Sequence, residues 1–146
     1  MGTRLPVALI DYLLYNYRHL RLEIESLGAR QSGIGRIPPK GGRPGSPVEN
    51  ALIQRSNLTQ VLNAVERAWR DLTPDLREVA TAKYRRGLSN KAIMKRCNLS
   101  RPTLDRRLRS VRTLVAGHLA LISEAILMQF WATVPPASLR DVRQRC

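Results

Sequence analysis

Along most of this chain, apolar side chains recur at alternating steps of three and four residues, a spacing that an α-helix turns onto a single face. Ile10, Leu13, Tyr17, Leu20, Ile24 and Leu27 form one such series, and Leu58, Leu62, Val65, Trp69 and Leu72 form another. The chain is therefore expected to be all-α. The first series predicts an amphipathic helix from about Pro6 to Leu27, stopped by Gly28. The second predicts a helix opening at Ser46-Pro47-Val48-Glu49. There the Ser46 hydroxyl can accept the amide of Glu49, Glu49 can reach back, and Pro47 has no amide to satisfy. Matching seams let the two helices pack as a long antiparallel hairpin, either as plain core or as a surface for dimerisation or polymerase docking.

Between Gly28 and Ser46 lie six of the nine glycines together with Pro38, Pro39 and Pro44, without periodic apolar residues. That composition reads as a basic linker, flexible or extended, inside an N-terminal unit spanning residues 1–72. Its Gly42-Arg43-Pro44 matches the core of minor-groove hooks, which makes Arg43 a candidate minor-groove arm beside the plainer linker reading. No Gly-Lys-Ser/Thr ending is present, so the segment is not a phosphate-cradling loop of an NTPase.

Residues 73–113 read as a helix-turn-helix unit. Thr73-Pro74 caps and opens a helix that carries Leu76, Val79, Ala80, Lys83 and Tyr84 and ends at Gly87. A short helix comes next over about Asn90 to Cys97, with Ile93 and Cys97 inward. Asn98 is expected in the left-handed conformation, with Leu99 plugging the two helices and Ser100 capping the second. The inner stripe then continues through Leu104, Leu108, Val111 and Val115. Cys97 reads as a small core residue rather than a redox centre.

Charge indicates what this unit meets. The 146 residues hold 25 Lys and Arg against 11 Asp and Glu, a net charge of +14. Eleven basic residues and one acid, Asp105, fall between Lys83 and Arg112, so that stretch alone carries +10. Such a run on a helix-turn-helix pattern is the electrostatic footprint of a groove reader. With 5% aromatic residues and one Phe, little is left for the stacking platforms of single-strand readers, so double-stranded DNA is the expected partner. At about 100° per residue, Pro102, Arg106, Arg109 and Thr113 point away from the core, with Thr103 and Ser110 beside them. Arg101, Thr103 and Arg106 are the base-edge candidates, Arg for the paired acceptors of guanine and the Thr methyl for thymine. Ser89, Lys91, Ser100, Arg107, Arg109 and Arg112 are the phosphate candidates. Asp105 lies four residues from both Arg101 and Arg109, a spacing suited to an intrahelical ion pair.

Residues 114–146 read as an apolar C-terminal helix with a basic tail. From Leu114 to Val134 the pattern is apolar on two faces, one of them Leu114, Leu121, Met128 and Trp131, the other Val115, Leu119, Ile122 and Ile126. One face can pack on the hairpin while the first makes a subunit contact, giving a homodimer or higher oligomer. His118, Ser123, Glu124 and Gln129 interrupt the run, which argues against a membrane span. Two cysteines, Cys97 and Cys146, form no disulfide framework, and the opening apolar run is broken by Asp11, too short for a signal peptide. A cytoplasmic protein is expected. His19 and His118 lie far apart and no metal-ligand spacing or nucleophile grouping is visible, so neither enzyme activity nor a cofactor is expected.

Leu13-Leu14-Tyr15-Asn16-Tyr17 with Glu23-Ile24-Glu25, the Leu72-Thr73-Pro74 entry, and Asn98-Leu99-Ser100-Arg101-Pro102-Thr103-Leu104 resemble the RinA-type bacteriophage transcriptional activators, relatives of the ArpU-type late regulators. The likeness covers residues 10 to 115. Its DNA-binding half is similar to region 4 of sigma factors, which reads a promoter element and touches RNA polymerase. The resemblance implies an activator of phage late genes, those for packaging and morphogenesis, acting by polymerase recruitment. Pro102, the arginine-dense second helix and the long apolar C-terminal stretch depart from the family pattern. Two other readings stand beside it: a terminase small subunit recognising phage DNA for packaging, distinguished by ring formation, and a nonspecific architectural protein, distinguished by salt-sensitive binding without sequence preference.

Overall fold

A computed structural model of the chain describes residues 5–32 and 47–134. Among them are six α-helices and one π-helical segment, and no strand: α1 (Val7–Ser32), α2 (Pro47–Arg70), α3 (Pro74–Ala80), the π segment (Thr81–Arg85), α4 (Asn90–Cys97), α5 (Arg101–Leu119) and α6 (Glu124–Thr133). The protein is all-α over this span. Arg43 and the Ser46 cap lie outside the described residues.

The two apolar series turn mostly inward, with Tyr17 and Trp69 half-buried. Ile10, Leu13, Leu20 and Ile24 of α1 are buried, as are Leu58, Leu62 and Val65 of α2. The buried face is wider than one seam, since Leu9, Tyr12 and Leu14 join it on α1 and Val61, Ala64 and Ala68 on α2. Small alanines let the neighbouring backbones come close. Between the two helices, Arg21 donates to Asn63 Oδ1 and to Glu66 Oε2, each at 2.8 Å. α1 departs from expectation at its end: it runs through Gly28 to Ser32. A glycine inside a helix costs only about 1 kcal/mol, and Ala29-Arg30-Gln31 behind it are good helix formers.

The C-terminal stretch is not one helix. α5 ends at Leu119 and α6 starts at Glu124, with the two axes bent by 116°. Leu121 N–H and Ile122 N–H bond back to His118 and Leu119 carbonyls at 3.2 and 3.0 Å, tightening the last turn of α5. Ser123 is extended (φ −52°, ψ 132°) and Glu124 begins the next helix, where a carboxylate complements the positive helix end. Folding back buries Leu127, Phe130 and Val134. It brings the Phe130 ring 6.4 Å from Tyr12, and Asn57 of α2 donates to Gln129 of α6 at 3.0 Å. These three belong to neither stripe read from the sequence; of the second stripe, Val115 and Leu119 are buried and Ile122 and Ile126 half-buried. Among the described residues no single helix is long and apolar enough to cross a membrane.

Buried residues from all six helices form one cluster. Inside it stands a polar centre. Asp11 Oδ1 of α1 accepts from Tyr84 OH of the π segment at 2.8 Å and from Arg112 Nε of α5 at 3.0 Å. The Asp11 side chain is 6% exposed and that of Arg112 26%. Ion pairs this enclosed are weak sources of net stability but expensive to break, because the surviving partner is left charged and unsolvated. Burial, and then the Asp11 carboxylate, push the Tyr84 hydroxyl far above its ordinary 10.0. Burial works against the charge of Arg112, and Tyr84 and Asp11 outweigh it, raising the value.

Asp11→Ala should therefore destabilise the fold by about 3–5 kcal/mol in urea titrations. The Tyr84 phenol also sets a pH dependence. The folded chain keeps a proton that the unfolded chain releases above pH 10.0, so stability is whole below that pH and falls as pH rises through it. Tyr84→Phe should flatten this alkaline slope when denaturant midpoints are compared at neutral and alkaline pH.

Candidate nucleic-acid interface

The basic stretch is shaped by three turns and three caps. Thr73 accepts the Leu76 amide at 3.5 Å and opens α3. The helix then widens over Thr81–Arg85, where Arg86 N–H bonds to the Thr81 carbonyl at 3.0 Å, five residues back. Gly87 turns the chain at φ +69°, a conformation that side chains resist. Ser89 Oγ accepts the Ala92 amide at 3.2 Å and starts α4. Lys83, almost wholly buried, donates from Nζ to Asn90 Oδ1 at 3.0 Å and so ties the π segment to the first residue of α4.

α4 ends at Asn98, which is left-handed (φ 55°, ψ 52°), the conformation that its short polar side chain tolerates. It is the only non-glycine with positive φ among the described residues. Leu99 packs against the core between the helices. Ser100 caps α5, its Oγ accepting the Thr103 amide at 3.4 Å and donating to Thr103 Oγ1 at 2.9 Å. Ile93, Leu104, Leu108, Val111 and Val115 are buried beneath. Cys97 is half-buried, and burial together with a hydrogen bond to Glu78 raises its pKa, keeping the thiol protonated.

Of the eleven basic residues, eight are exposed: Arg85, Arg86, Lys91, Lys95, Arg96, Arg101, Arg106 and Arg109. Arg107 is half-buried. Lys83 and Arg112 turn inward, and Arg112, a phosphate candidate by sequence, is engaged with Asp11 instead. Its inward turn has a plain cause: a guanidinium at the edge of the core met a buried carboxylate.

The remaining candidates divide. Arg106 and Arg109 are brought together with Ser110 and Thr113 on an open groove of about 510 Å³ along α5. Arg101 is exposed and held by Asp105, at 3.1 and 3.4 Å from Nε to the two carboxylate oxygens, the intrahelical pair that the spacing suggested. Thr103 is half-buried, and the hydrogen of Ser100 is engaged on it. Ser89 and Lys91 are exposed at the start of α4. Leu114 and Leu121 line the far end of the groove, whereas Met128 and Trp131 lie beyond the bend on α6. The four residues expected on one oligomerisation stripe are thus split between α5 (Leu114), the turn after it (Leu121) and α6 (Met128 and Trp131).

His118, also on the groove, meets Asp71 at 2.8 Å. Ser110 lies two turns earlier, about 12 Å along the helix axis, and its hydroxyl donates to the Arg106 carbonyl at 3.1 Å. The three side chains therefore do not assemble a nucleophile and its base. Among the described residues no three His, Cys, Asp or Glu side chains group as metal ligands. No protein-family model, curated protein or solved structure matches this chain.

Sequence reasoning missed the Asp11, Tyr84 and Arg112 contact, the Lys83 and Asn90 contact, and the stacking of Arg85 on Trp69, 4.2 Å from guanidinium carbon to ring centre. Each joins residues distant in sequence or on different elements, with no local periodic signal. Asn98→Val should lower stability by about 1–2 kcal/mol and Ser100→Ala by about 1 kcal/mol in thermal unfolding, with Asn98→Gly close to neutral.

Proposed function

We propose that this chain is a sequence-specific double-stranded DNA-binding protein that uses α4, the Asn98 turn and α5 as a helix-turn-helix, with α5 in the major groove. The observation that carries the reading is the pairing of a capped, sharply turned helix pair with eight exposed cations on and beside it. A solvated face needs no such concentration, and the phosphate backbone rewards it. Arg106, exposed on the groove side of α5, is the leading base-edge residue, and Arg109 and Lys91 the leading phosphate contacts. Arg101 must leave Asp105 before it reads a base, and Arg112 takes no part.

The resemblance to RinA-type activators extends this to activation of phage late genes, inside a bacterial host and through RNA polymerase. The reading is of a binding protein without catalysis or cofactor. Leu121 and Met128, 79% and 56% exposed, are the apolar residues that support contact with a second copy.

Selection of bound sequences from random duplex DNA at near-physiological salt tests the central claim, with enrichment of a defined motif expected. Unenriched, salt-sensitive binding would replace it with an architectural role, and ring-shaped oligomers would favour a packaging component. On the selected site, Arg106→Ala should lose about 1–3 kcal/mol and relax one position, while Arg109→Ala should weaken all sequences alike. Light scattering should give at least a dimer, and Leu121→Glu with Met128→Glu should return a monomer.

A further inference from the structure

Four of the seven aromatic residues of the chain, Tyr15, Tyr17, Trp69 and Tyr84, line one cavity of about 370 Å³ between α1, α2 and the π segment. A protein this poor in aromatics has gathered most of them at one place, and three of the four are not sealed into the core. Tyr15, Tyr17 and Trp69 are half-exposed, with Leu14, Val65 and Tyr84 buried behind them. The volume falls in the range of small-molecule sites, roughly 300–1,000 Å³, and the lining has their usual form of apolar walls with a few polar groups converging at the mouth.

Those polar groups are unbalanced in charge. Arg18, Arg70 and Arg85 line the cavity with a single carboxylate, Glu66. Glu66 is already shared, accepting from Arg21 and from Arg70 at 2.8 Å each. Arg85 lies over the Trp69 ring and Arg18 has no carboxylate partner among the described residues. An aromatic cage for a cation would not be rimmed by excess guanidinium. Guanidinium groups beside flat aromatic walls suit a planar ring that carries an anionic group. The π segment adds a second observation. Such widened turns have poorer hydrogen-bond geometry and concentrate at functional sites, and here Tyr84 and Arg85, consecutive residues of the segment, both face this cavity.

We propose that this cavity binds a small planar aromatic anion, a ring bearing a phosphate or carboxylate, no larger than a mononucleotide. The ring lies among Tyr15, Tyr17 and Trp69, and the anion meets Arg18 and Arg85. This site is separate from the α5 groove, and Arg85 is the one residue it shares with the cations of the DNA reading.

Isothermal titration of the full chain with adenosine monophosphate, with indole-3-acetate and with inorganic phosphate at near-physiological salt tests it. Saturable binding of one molecule per chain is expected for at least one of the two aromatic anions, and which one binds distinguishes a nucleotide from an aromatic acid. Inorganic phosphate should not saturate. Arg18→Gln and Arg85→Gln should each weaken binding about tenfold, whereas Arg67→Gln, which removes an equal charge from the exposed side of α2, should leave it unchanged. Circular dichroism checks that each variant is folded. No saturable binding by either compound, an equal loss with Arg67→Gln, or tight binding of a single-stranded oligonucleotide alone would overturn the proposal.

Discussion

The carboxylate of Asp11 is the point on which the rest of the arrangement depends. It sits in the core with two donors on it, one from the π segment and one from α5, separated from it by 73 and 101 residues of sequence. Apolar packing brings helices together without choosing one alignment strongly, since a Leu seam tolerates sliding. A buried charge does not tolerate it, because any shift leaves an ion without its partners. Asp11 therefore sets how α1 lies against the basic half of the chain. The N-terminal helix and the proposed DNA-reading unit share a polar anchor set inside one continuous apolar core.

Most of the secondary structure was legible in the sequence because it is local. The starts at Thr73 and Ser100, the left-handed Asn98 and the inner stripe of α5 all come from side chains acting within a few residues of themselves. Two boundaries were not legible. Gly28 has the composition of a stop, yet a glycine ends a helix where its own backbone turns left-handed, and composition does not carry that. Ser123-Glu124 was a start signal inside an apolar run, hidden because the run reads equally well as one helix with two covered faces. The choice between these was made by α2 and Tyr12, which give the folded-back segment somewhere to bury Phe130.

The candidate site was legible as charge but not as direction. Counting places the cations between Lys83 and Arg112 without saying which ones face solvent. A long side chain at the rim of a helical stripe can swing either way, and for Arg112 the deciding group is a hundred residues earlier. Asp11 itself was visible, but as an interruption of an apolar run. A lone acid among Ile10, Tyr12, Leu13 and Leu14 signals a buried ion pair, and nothing nearby names its partner.

The π segment bears on how this chain can change by insertion or deletion. A π turn holds one residue more than the α turn it replaces, so the stretch from Thr81 to Arg85 behaves as a helix with a residue inserted. Deleting one residue there would leave a regular helix with every backbone bond intact, but would rotate α4 and α5 by about 100° relative to α3. Tyr84 would leave Asp11, Lys83 would leave Asn90, and α4 would open on a different side of the molecule. The extra residue acts as a phase setting between α3 and the helices after it. A chain that keeps this arrangement must therefore keep its length between Thr73 and Gly87.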